Sequence, residues 1–153
     1  MDLESELVFL GRAALAAGLA FLIGWEREAR GSPAGDRTFA MVSLGAAAFT
    51  AIGIEQFPET AEKLLAGVVT GVGFLGAGMI VREASNVRGL TTAAGIWAVS
   101  SIGVVVGAGE YLIGVGLTAM ILLILTWERV PYLSRIGAVK RHRVMVEQNE
   151  GNM

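Results

Sequence analysis

The chain has 153 residues, of which 54% are hydrophobic and 17% charged, with 21 glycines, three prolines, no cysteine and a formal charge of −2. Soluble domains average about 25% charged residues and about 7% glycine, so a water-facing globule and a proline-rich linker are both excluded. What remains is a polytopic membrane protein of closely packed helices; disulfides, thiol nucleophiles and a nucleic-acid footprint are excluded with the globule.

Five apolar stretches occur in order at residues 7–25, 38–54, 64–81, 90–107 and 111–127, each roughly 17–19 residues and so near the length of a membrane span. The predicted fold is therefore all-α: a membrane bundle of about five transmembrane helices over residues 1–127, followed by a basic tail over 128–153. The acidic lead Asp2, Glu4 and Glu6 is the opposite of a signal peptide's basic start. Ten of the twelve Lys and Arg residues fall in the 1–2 loop, the 3–4 loop and the tail. The positive-inside rule then places the N-terminus outside and the C-terminus in the cytoplasm. Lys63 is the lone base among the outer acids Glu55, Glu59, Glu62 and Glu110.

Span one carries Ala16, Ala20 and Gly24 along one face, and Arg12 is the sole charge within a stretch. A charge inside a span is a candidate binding residue by default. Arg12 lies near the outer end, however, so it reads mainly as snorkelling to the headgroups, with Glu110 as its partner if it faces the bundle. Span three carries Gly67, Gly71, Gly73, Gly76 and Gly78, and span four Gly103 and Gly107. Rows of small residues let helix backbones approach, which predicts helix packing for these glycines and makes a homodimer a reasonable expectation. The run from Gly71 to Gly76 also fits GxGxxG, but no strand precedes it and no acid follows until Glu83, after which none occurs before Glu110. That is not a dinucleotide site. Trp25, Tyr111 and Trp127 sit at span ends as an aromatic belt would, whereas Trp97 lies well inside span four.

Polar chemistry concentrates in two cytoplasmic turns, residues 25–38 (WEREARGSPAGDRT) and 81–92 (VREASNVRGLTT). Each opens with Arg-Glu-Ala, at 27–29 and 82–84, which suggests a duplicated two-helix hairpin with span five added. Helices two and four start here, so unpaired N–H groups and positive dipole ends gather at this face. Thr38 and Thr91 or Thr92 are the predicted caps, and Arg37 and Arg88 stand beside them. Brought together, the two ends would form an anion-receptive pocket. The carboxylates Glu26, Glu28, Asp36 and Glu83 would either pair with the arginines or hold a hydrated divalent cation. The candidate binding set is thus Arg12, Glu26, Arg27, Glu28, Arg37, Thr38, Arg82, Arg88, Thr91 and Thr92, against the plainer reading of capping and positive-inside anchoring.

The runs Gly24-Trp25-Glu26-Arg27-Glu28, Gly35-Asp36-Arg37-Thr38, Gly71-Val72-Gly73-Phe74-Leu75-Gly76-Ala77-Gly78 and Val87-Arg88-Gly89-Leu90-Thr91-Thr92-Ala93-Ala94 resemble the MgtC/SapB family. The resemblance spans residues 7–127 in family order, and Asp36 replaces the family's usual leucine. It implies a bacterial inner-membrane protein with no cofactor. Some long members are linked to survival in macrophages, growth at low magnesium and restraint of the F-type ATP synthase. Those members carry a soluble C-terminal domain; this chain resembles a short form, so functions resting on that domain do not carry over. Magnesium transport is the family's older label.

Three functions follow as expectations. The first is a non-enzymatic regulator acting through membrane-protein contacts, with itself or with a complex such as ATP synthase. The second is a transporter or channel for Mg²⁺ or another small solute; against it, spans two to five hold no Asp, Glu, Lys, Arg or His. An intramembrane enzyme is the weakest, because Ser43, Ser100 and Ser101 lack a base and the single His142 lies in the tail.

Overall fold

A computed structural model describes residues 2–83 and 86–127. The expected basic tail, with His142, lies outside the described residues. The elements are α1 (Leu3–Glu28), α2 (Asp36–Gln56), a 3₁₀ turn (Pro58–Thr60), α3 (Ala61–Gly78), β1 (Val81–Glu83), β2 (Asn86–Arg88), α4 (Leu90–Gly107) and α5 (Tyr111–Thr126). Among the described residues the fold is an all-α bundle of five α-helices. Four elements are long and apolar enough to cross a membrane: α1, α2, α4, and the 3₁₀ turn together with α3. The fifth helix, α5, is apolar and shorter, at 16 residues. Described residues 2–121 lie in one compact unit; of the second, residues 122–126 finish α5, where the Thr126 hydroxyl donates to the Leu122 carbonyl at 2.7 Å.

Helix α4 is central, packing against α1, α2 and α3. In its most apolar window 56% of the residues are buried, against 17% for the window that includes α3. Ile96, Val99, Ile102 and Val106 are enclosed on α4, and Phe39 of α2 is fully enclosed against Gly95. Apolar contact alone gives no preference for a helix over lipid, so close backbone approach has to select the pairs. A methyl on Gly107 would sit 2.5 Å from the Ala47 carbonyl oxygen, and one on Gly103 would strike the Ser43 carbonyl. The α2–α4 seam is therefore backbone against backbone. Ala16, Ala20 and Gly24 are buried in the same way on α1, and a methyl on Gly24 would lie 2.5 Å from the Asp36 Cα.

The glycines of α3 behave differently. Only Gly76 meets another helix, with Ala93 of α4 at 3.3 Å; Gly67, Gly71, Gly73 and Gly78 have nothing within 4 Å of an added methyl. Within one chain, then, the packing expected of these five glycines is seen at Gly76 among the described residues. Spacing defines a face, but whether that face turns inward depends on how far α3 splays from α2. Trp97 sits on the outer face of α4, 52% exposed.

The second predicted polar turn also departs from expectation. Helix α3 stops at Gly78, and β1 and β2 pair as an antiparallel hairpin with Val81 opposite Arg88 and Arg82 opposite Val87. The first Arg-Glu-Ala copy begins in the final turn of α1, whereas the second begins in β1. Their local structures are different, which removes the support for a duplicated hairpin.

At the N-terminus Asp2 caps α1, accepting from the Ser5 amide at 3.0 Å and the Ser5 hydroxyl at 2.6 Å. Those bonds hold its carboxyl below the ordinary 3.8. A lowered value means the cap is complete above the ordinary value and is lost as pH falls through the lowered one. An NMR titration of the Asp2 carboxyl carbon is expected to give a midpoint below 3.8; an unshifted midpoint would contradict the cap.

Candidate functional site

The end of α1 is closed by a Schellman motif. Gly31, at φ +71°, donates its amide to the Glu28 carbonyl at 2.9 Å, and Ser32 donates to the Arg27 carbonyl at 3.0 Å. Glycine suits the left-handed position because it has no Cβ. The reversal folds Arg30 back over the helix end, where it pairs with Glu26, and Arg27 approaches the other Glu26 oxygen at 3.8 Å. The three side chains are only 14%, 13% and 24% exposed for Glu26, Arg27 and Arg30. Arg27 Nε and Arg30 Nη2 are buried without a hydrogen-bond partner. One carboxylate against two guanidiniums leaves these three side chains with a net positive charge and spare donors, a charge that Glu28, bonded to the Asp36 amide, offsets at the edge of the cluster.

The start of α2 is tied to α1 and not to its own threonine. Its N-cap is Gly35, with no side-chain cap, and the Asp36 amide donates to Glu28 Oε2 at 3.2 Å. Thr38 lies two residues into the helix and does not cap it. Likewise α4 has Gly89 at its N-cap, with φ +87° and no side-chain cap. Thr92 instead shares a 2.9 Å hydrogen bond with Ser32, joining the α1–α2 loop to the first turn of α4, while Thr91 is exposed. The threonine-cap expectation is corrected because both helices begin before those residues.

Arg37, Arg82 and Arg88 are exposed, and none forms an ion pair among the described residues. The expectation that Arg37 and Arg88 meet in an anion pocket rests on the sequence alone. The compact polar cluster is Glu26, Arg27 and Arg30, with Glu28 and Ser32–Thr92 as its ties to α2 and α4. The described residues include no group of three His, Cys, Asp or Glu side chains that could hold a metal ion. Arg30 was absent from the sequence-based site, although Glu26 to Arg30 is an i, i+4 pair of helix-stabilising orientation that could have pointed to it.

Arg12 lies at the opposite, acidic end and is not a free snorkelling side chain. Its Nη1 donates to the Gly107 carbonyl at 3.1 Å and its Nε to the Tyr111 hydroxyl at 3.2 Å. Gly109, at φ +93°, reverses the chain here in a second Schellman motif, with Gly109 bonded to Val106 and Glu110 to Val105. The guanidinium thus rests on the negative end of α4, and its partners are a carbonyl and a phenol in place of Glu110. Arg12→Lys keeps the charge but not the fork. Both Arg12→Lys and Arg12→Ala are expected to lower the thermal midpoint in detergent, with Arg12→Ala costing about 1–2 kcal/mol of stability after allowing for partial exposure. A Lys variant as stable as wild type would return Arg12 to simple snorkelling.

Residues 13–131 match the MgtC family. The chain belongs to the MgtC family. This MgtC-family chain is 45% identical over 104 residues to Protein MgtC of Salmonella typhimurium strain LT2, covering 68% of this chain and 45% of that protein. It is 40% identical over 126 residues to the protein named "Putative magnesium transporter YhiD" of Escherichia coli K12, covering 76% and 59%. Protein MgtC of Brucella abortus is 45% identical over 101 residues, covering 63% and 42%. The chain spans about half the length of the curated relatives it matches. No solved structure matches it. Its apolar spanning helices and its relatives make it a membrane protein. In this MgtC-family chain two of the motif glycines have plain physical reasons: Gly24 lets the Gly35–Asp36 backbone lie on α1, and Gly89 leaves room for the Met79 carbonyl.

Proposed function

We propose that this MgtC-family chain is a non-enzymatic bacterial inner-membrane regulator linked to magnesium limitation, acting through contacts with other membrane proteins. The observation that carries this reading is the interior of the bundle. The buried polar side chains of the described residues are Ser43, Thr50, Thr92, Ser100 and Thr118, and those of Ser100 and Thr118 bond to carbonyls of their own helices. The α2–α4 seam is closed by backbone contact, and none of the buried polar side chains of the described residues is charged, although the Ser43 and Thr50 hydroxyls of α2 have no partner among them. The charged cluster at the basic end suits an anionic partner group, and a complex such as ATP synthase, or a second copy of the chain, is the kind of partner intended. The link to magnesium rests on the name carried by the relative YhiD.

That same name favours a second reading, a transporter of Mg²⁺ or another small solute. Proteoliposomes separate the two. The regulator reading expects no saturable Mg²⁺ flux under any gradient, together with recovery of a partner from crosslinked membranes and altered ATP synthase rates in a deletion strain. Saturable flux that is lost in Glu26→Gln would establish transport instead. Crosslinking that recovers no partner, with unchanged ATP synthase rates, would count against regulation.

A further inference from the structure

Between α2 and α3 lies a groove of about 480 Å³ whose walls include Val42, Phe49, Val72 and Leu75 and whose floor is opened by Gly67 and Gly71. Lys63 is the sole charged residue lining it; it is exposed, on the first turn of α3, and so marks the solvent end of the groove. We infer that this groove holds one acyl chain of a zwitterionic phospholipid, with the lipid phosphate on Lys63.

Length and volume favour a single chain over a helix. From Lys63 to Leu75 is twelve residues, about 18 Å at 1.5 Å per residue. That is close to half of the roughly 30 Å hydrocarbon core, the depth of one leaflet's tail. A helix about 10 Å across would need well over roughly 1,000 Å³ for the same length. Charge selects the headgroup. One ammonium at the mouth matches a phosphate, and the N-cap of α3, Thr60, makes no side-chain cap bond, leaving the positive helix end on the same side. The acids Glu55, Glu59 and Glu62 are exposed in the same stretch of chain as Lys63, between the end of α2 and the start of α3, where they repel a second negative charge but favour an ammonium. Phosphate and ammonium in one headgroup describe a lipid of the phosphatidylethanolamine type.

The absence of any atom within 4 Å of a methyl on Gly67 or Gly71 makes the groove fillable without disturbing the bundle. The test is native mass spectrometry of the full chain in detergent, titrated with phosphatidylethanolamine, phosphatidylglycerol or diacylglycerol, beside thermal melting. Wild type is expected to retain one phosphatidylethanolamine, roughly tenfold more tightly than the other two. Lys63→Gln should reduce phosphatidylethanolamine to the diacylglycerol level, and Gly71→Leu should weaken both while the melting midpoint holds. Equal retention by wild type and both variants would overturn the site, and tighter binding of phosphatidylglycerol would overturn the headgroup assignment. A wild-type dimer that Gly71→Leu converts to monomer would give the groove to a second copy and overturn the proposal.

Discussion

Gly103→Ala is expected to destabilise the protein severely, while Gly71→Ala, an identical change on a neighbouring helix, leaves it unaltered. A methyl on Gly103 meets the Ser43 carbonyl oxygen, the Ala46 Cβ at 2.7 Å and the Ala47 amide nitrogen at 3.0 Å. Two of these are backbone atoms of α2, which cannot swing aside as a side-chain tip can. Overpacking costs about 1–3 kcal/mol, and a collision with backbone belongs at the upper end. At about 2–4 °C per kcal/mol for a chain of this size, the midpoint should fall by roughly 6–12 °C. Gly71 has nothing within 4 Å, so its change should stay within about 0.5 kcal/mol. Thermal melting of both variants in detergent checks the contrast, and equal midpoints would mean that the α2–α4 seam is not closed by backbone contact.

The second large effect belongs to Glu26. Glu26→Ala leaves Arg27 and Arg30 crowded on one helix end without their shared counter-charge. Breaking a buried pair costs about 3–5 kcal/mol, and the partial exposure of this cluster reduces that to about 2–3 kcal/mol. Adding Arg30→Ala to Glu26→Ala should recover part of the loss, because it removes one of the stranded charges. A Glu26→Ala variant as stable as wild type would show that the three side chains are an ordinary solvated face.

What the sequence could disclose follows from range. The residues that form α4, Leu90–Gly107, coincide with the fourth apolar stretch, because hydropathy is read one helix at a time. Gly103 and Gly107 also lie where their spacing placed them, against a neighbouring helix. The partners of Arg12 were out of reach: Gly107 and Tyr111 are 95 and 99 residues away, and nothing local ties them to α1. The α3 glycines share the spacing of the α4 glycines yet face open space, a difference made by the placement of the whole helix. Thr38 looked like a cap because the second apolar run begins there, but α2 extends past that run to Asp36; Thr91 and Thr92 lie inside the fourth run, and Gly89 holds the N-cap position of α4. The β1–β2 hairpin was missed because three-residue strands are too short for alternation to register.

The central position of α4 also sets an order of assembly. The chain is made from its N-terminus, so α1, α2 and α3 enter the membrane before the helix that all three pack against exists. Until α4 has been synthesised, the faces of Phe39 and Gly76 that meet Gly95 and Ala93 must be covered by lipid or by the insertion machinery. The bundle therefore closes late, when α4 displaces that cover. Nascent chains arrested after Gly78 should be cut readily by protease in the 25–38 loop, and chains arrested far enough beyond Gly107 for α4 to have inserted should resist it. Equal cleavage at both lengths would show that α1 and α2 complete their packing without α4.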